Sequence, residues 1–204
     1  DASLLINKEV FDMGQAGAIG LSLLLIIGSW FIYDTIYHPK FMAYHKYSNI
    51  LALFLSMLLI YGSTTLFSGR GAFIIVGVVF GSAMLLNVWV RILPGQSKMF
   101  KDAEAGKMPD FTLSQKSKSR SVHNTYFIFP VLFIMLSNHY PSVYNHEYNW
   151  LLLMILAITG AMVRQVMVSK NKAHRLLLIP ATLGLLGLIF ITARAPKLVE
   201  VDVD

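Results

Sequence analysis

Two histidines, His123 and His139, stand near the two ends of the apolar stretch from Arg120 to Pro141. Neutral imidazole is a usual axial ligand of b-type haem and the side chain most ready to exchange a proton near neutral pH. On one helix the two rings are about 24 Å apart along the axis and about 160° apart around it. They therefore cannot share one metal; they serve two sites, or one site and one structural role. A ligating His also needs a second His or Met, from another helix or another chain. Met57, Met84, Met135, Met154 and Met162 supply thioethers, but in membrane helices these usually pack. Hydrogen bonding at the membrane surface is the alternative for His123 and His139, and the expected role of His38, His45, His146 and His174.

A second group is ionic. Asp34 falls inside an apolar run, where a carboxylate is costly unless paired. Arg91 and Arg164 lie near the ends of two other apolar runs that point the same way. The sequence predicts a structural polar cluster of Asp34, Arg91 and Arg164, with Asp34 paired to one of the two arginines. Asn87 lies four residues before Arg91, on the same helix face.

The elements that must position these groups are membrane helices. The chain has 204 residues, 55% of them hydrophobic and only 14% charged, against about a quarter charged in ordinary soluble domains. Apolar runs of spanning length predict about six transmembrane helices: 16–37, 49–67, 72–93, the stretch between Arg120 and Pro141, 150–168 and 176–193. The fold class is all-α, a polytopic helix bundle over 16–195. A surface segment, 1–15, precedes it, and a flexible tail, 196–204, follows. The net charge of +6 lies in loops, as topology requires, and no basic tract interleaved with aromatics points to nucleic acid. The chain has no cysteine, which excludes disulfides, thiolate metal sites and a c-type haem attachment in this chain.

Three details complete the map. Ser68-Gly-Arg-Gly71 reads as a tight turn, with Arg70 at the interface. Pro94-Gly95 reads as a helix stop, followed by a long basic loop, 96–121, holding a short surface helix near 97–105. Gly77 and Gly81 form a small-residue pair suited to close helix packing. Six spans put both termini on one side. The loops and helix ends after spans one, three and five hold Lys40, Lys46, Arg91, Lys98, Lys101, Lys107, Lys116, Lys118, Arg120, Arg164, Lys170, Lys172 and Arg175. The opposite side holds Lys8, Arg70, Arg194 and Lys197. The first side is expected to be cytoplasmic, which leaves both termini outside.

Three passages carry a resemblance: Phe67 to Phe73, Asn87 to Met99, and Arg120 to Pro141 continuing to Tyr148-Asn-Trp150. Together they resemble the membrane domain of the bacterial cytochrome c-linked, membrane-bound urate oxidases, over about 28–164. The resemblance implies an oxidoreductase of the bacterial inner membrane with periplasmic termini. It also implies haem b at His123 and His139 and electron transfer toward a cytochrome c. Relatives are expected to carry further helices in front, which a separate chain would supply here, and a His in the third span where this sequence reads Phe73-Ile-Ile-Val76. Ile75 thus marks a departure. The alternative is a non-catalytic accessory subunit packed among lipids and partners in a respiratory or oxidase complex. A transporter finds less support, since no inverted repeat or pair of broken helices is visible.

Overall fold

The computed structural model describes residues 6, 7, 10, 14–38, 45–108 and 110–193. Most of the N-terminal segment and all of the tail 196–204 lie outside them. The described chain is helical: α1 Gly14–Ile36, α2 His45–Leu66, α3 Gly69–Leu86, a π-helical turn Asn87–Ile92, α4 Leu93–Glu104, α5 Phe111–Ser137, α6 Pro141–Tyr144, α7 Asn149–Val168, a 3-10 turn Lys172–Leu177 and α8 Leu178–Ala193.

Five helical stretches among the described residues are long and apolar enough to cross a bilayer: Gly14–Ile36, Tyr47–Leu66, Gly69–Glu104, Asn149–Val168 and Lys172–Ala193. The stretch expected as a fourth span is a 27-residue helix, α5. Its first half carries Gln115, Lys116, Lys118 and Arg120, so its apolar part is shorter than the others. The helix nevertheless sits inside the bundle, packed on α3, α4, α7 and the π turn. Of these polar side chains Arg120 turns into the bundle, while Gln115, Lys116 and Lys118 are exposed.

The core forms where α3 meets α2, α5 and α7. Ile60, Phe67, Ala72, Phe73, Ile75, Val76, Val79, Ile134 and Leu153 are buried there. By contrast Leu23, Leu24, Ile27 and Phe31 on α1, and Leu183, Leu186, Ile189 and Phe190 on α8, are exposed. That inversion suits helices whose outer faces meet hydrocarbon. Small residues set the spacing of the inner helices. A Cβ on Gly77 would lie 2.8 Å from Ile134, and one on Gly160 2.8 Å from Phe129, beside Pro130 of α5. Gly81, expected to pack with Gly77, faces open space, as do Gly20 and Gly28.

Two expectations about loops are corrected. Ser68 to Gly71 is not a separate turn: Ser68 caps α3, its Oγ accepting the Gly71 amide at 3.3 Å, and Gly69 already belongs to the helix. Gly69 is required for close approach, since a Cβ there would lie 2.0 Å from the Tyr144 carbonyl oxygen. Pro94-Gly95 does not stop the helix either. Proline lacks an amide and its ring crowds the carbonyl four residues back. The chain widens into the π turn just before it, where the Leu93 amide bonds the Val88 carbonyl five residues back, and helix resumes through Glu104. The long loop therefore shrinks to the link between α4 and α5.

Asp110 starts α5 as its N-cap, accepting the Thr112 amide at 2.9 Å. Hydrogen bonds from the Thr112 side chain and backbone hold its carboxyl below the usual carboxylate range. The folded value being depressed, this contribution is complete above the unfolded carboxylate pKa and is lost as pH falls through the lowered folded value. Fraying of the first turn of α5 is expected on acidification through that window. Asp110→Ala should already be frayed at neutral pH, read from the Thr112 amide resonance. A Thr112 resonance indifferent to both changes would refute the cap.

Candidate functional site

The far ends of α1 and α3, the π turn and the first half of α5 meet at the end of the bundle rich in lysine and arginine. Asp34 of α1 is buried there. Arg91 grips it with two nitrogens: Nε donates to Oδ1 at 2.9 Å and Nη2 to Oδ2. Arg120 of α5 adds a third contact, Nη2 to Oδ1 at 3.0 Å, and the same nitrogen reaches the Tyr37 carbonyl at 3.0 Å. The Arg120 guanidinium also lies 5.1 Å from the centre of the Tyr33 ring. The two arginines differ in setting: the Arg91 side chain is 41% exposed and that of Arg120 only 8%. Arg91 is thus the outer member of the triad and Arg120 the inner.

Arg164, expected as an alternative partner of Asp34, takes no part. Its Nε donates to Thr125 Oγ1 at 2.7 Å, on another face of α5.

A chain of hydrogen bonds runs beside the triad, and one backbone carbonyl sets its direction. The Met84 carbonyl can only accept, so Asn124 turns its NH2 to it, at 3.0 Å. Asn124 Oδ1 then faces Asn87, which must present its own NH2, at 2.8 Å. That NH2 also reaches Tyr33 Oη at 3.1 Å. Tyr33 Oη in turn lies 3.0 Å from His123 Nδ1, a hydrogen bond that either tautomer of the imidazole can make. The imidazole lies against Tyr37, ring centres 4.2 Å apart.

His123 thus joins the polar network through Nδ1. His139 lies in the turn that directly follows α5 and is exposed. Its amide bonds the Leu136 carbonyl at 3.1 Å, and its ring has no partner among the described residues. His146 and His174 make local contacts: His146 accepts the Tyr148 amide at 3.0 Å, and His174 meets Ser169 Oγ at 2.5 Å. Among the described residues no three His, Cys, Asp or Glu side chains gather as a metal site.

Arg120, Tyr33 and Asn124 were not anticipated as members of the site. A signal was present: Arg120, His123 and Asn124 are spaced three and four apart, and so share one face of α5. The π turn does the same for α3, bringing Asn87 and Arg91 to one side; such turns recur at functional sites.

An all-helical bundle of membrane-spanning length, with a buried ionic cluster at one end, defines the class. Within that class the chain belongs to one family: the family model described as urate oxidase N-terminal matches residues 1–195. No curated protein and no solved structure matches the chain.

Proposed function

We propose that the chain is the membrane part of a urate oxidase-type oxidoreductase that passes electrons toward a cytochrome c, with a b-type haem held at His139. The observation that carries this reading is the family match over 1–195. The ring of His139, exposed and without a partner among the described residues, supports the haem position. The second axial donor then comes from another helix or another chain. A haem bound there supplies a one-electron relay. By the distribution of Lys and Arg the Asp34–Arg91–Arg120 end is cytoplasmic, in a bacterial inner membrane with both termini periplasmic. His139 then lies at the outer surface, where c-type cytochromes work. His123 serves the polar network.

The test is the reduced-minus-oxidised spectrum of the protein purified with its natural partners. A b-type Soret and α band are expected, lost in His139→Ala and retained in His123→Ala. Loss of the bands in His123→Ala alone would move the haem to the other end of α5.

A second reading, an accessory subunit, is favoured by Ile75. At a position where relatives are expected to place a His, this side chain is 5% exposed in the apolar core. Protein purified with its partners and free of haem would establish that reading.

A further inference from the structure

We infer that the buried cluster is an anion site, built on Arg120 and Asn87, for a small monoanion that also carries an N–H or O–H donor. Two observations carry this, and both are deficits. The first is charge. Asp34 faces two guanidiniums, Arg91 and Arg120, so the triad holds one positive charge more than its carboxylate balances. Arg120 is the deeper of the two, 7% exposed as a residue. A charge out of water is strongly unfavourable unless compensated.

The second deficit is in hydrogen bonds. Arg120 Nη1 is buried without a partner, although Nη2 on the same group makes three contacts. Asn87 is fully buried, and its Oδ1 has no partner. The orientation of Asn87 is forced by the Met84 carbonyl through Asn124, so the orphan on Asn87 is an acceptor. Both residues adjoin Tyr33, one over its ring and the other at its hydroxyl. Native proteins rarely leave such groups unsatisfied.

A ligand that answers both must accept at Arg120 and donate at Asn87, and must bring one negative charge. Chloride, a simple carboxylate and the phosphodiester of a lipid all accept but have nothing to donate. A heterocyclic monoanion with ring N–H groups beside carbonyl oxygens offers all three features. Urate at neutral pH is one, and choosing it as the probe rests on the function proposed above. Arg91 is the more exposed of the two arginines on Asp34.

The experiment measures binding of labelled urate, and its effect on thermal unfolding, with the complete protein and its partners in nanodiscs of zwitterionic lipid. Arg120→Lys keeps the charge but removes the fork that presents Nη1. Urate is expected to bind and stabilise the wild type, and to bind Arg120→Lys roughly tenfold more weakly or worse, as loss of a charge-assisted hydrogen bond implies. Acetate should protect far less than urate. Equal binding by Arg120→Lys overturns the proposal, as does equal protection by acetate. Protection that appears only with anionic lipid and not with added urate also overturns it. Urate-driven reduction of cytochrome c separates the two readings. If Arg120→Lys turns over with unchanged KM, the site is wrong and the function stands; a wild type that neither binds nor oxidises urate defeats both.

Discussion

Asp34→Ala is expected to destabilise the protein by about 3–5 kcal/mol, because it leaves a buried guanidinium without its carboxylate. Arg120 is held by Asp34 Oδ1 and by the Asp34 and Tyr37 carbonyls. With the carboxylate gone only the two main-chain oxygens remain, and neither carries a full charge. Arg91, the more exposed partner, can turn to water; Arg120 cannot. Asp34→Asn keeps an acceptor for one arginine and should fall between the wild type and Asp34→Ala. It should lower stability more than any electron-transfer rate. Thermal unfolding in nanodiscs measures both variants. An Asp34→Ala protein as stable as the wild type would show that the triad contributes nothing to the fold.

Gly69→Ala is the second large effect expected. A Cβ at this position would lie 2.0 Å from the Tyr144 carbonyl oxygen and 2.9 Å from its carbon. Both neighbours are main chain, so no side-chain rotation relieves the clash. The same carbonyl accepts a hydrogen bond from Asn149 Nδ2 at 2.8 Å, and a shift of α6 would break it. The cost is about 1–3 kcal/mol, as for other overpacked sites. Gly81→Ala, facing open space, should be within about 0.5 kcal/mol of the wild type, as surface substitutions usually are. Comparable losses in the two variants would mean that α3 and α6 are not in contact as described.

The spans were legible because hydrophobic length is a one-dimensional property. Long apolar runs need no partner to be recognised, and helices stand at each place where one was read. The loops were less legible. Pro94-Gly95 has the local chemistry of a stop, and only the π turn, which depends on where α5 packs, carries the helix past it. Ser68 to Gly71 has the composition of a turn, yet Gly69 is set by the approach of Tyr144, distant in sequence.

The site divides in the same way. That Asp34 needs a cation follows from burial alone, and one of the two arginines named for it, Arg91, is there. Arg164 was as well placed by linear position, but rotation about α7 turns it to Thr125. The role of His123 could not be read from spacing. It depends on a network that runs from the Met84 carbonyl through Asn124, Asn87 and Tyr33, four residues from three helices and the π turn. Arg120 was counted as a topological charge at the edge of a loop. It became a member of the cluster because α5 begins at Phe111, which places Arg120 well inside a helix.

The most direct measurement of the central claim is electron transfer itself. Membranes containing the chain and its natural partners should reduce added cytochrome c when urate is supplied, and membranes lacking only this chain should not. Equal rates of urate-dependent reduction with and without the chain would contradict the account, as would no reduction in membranes that contain it.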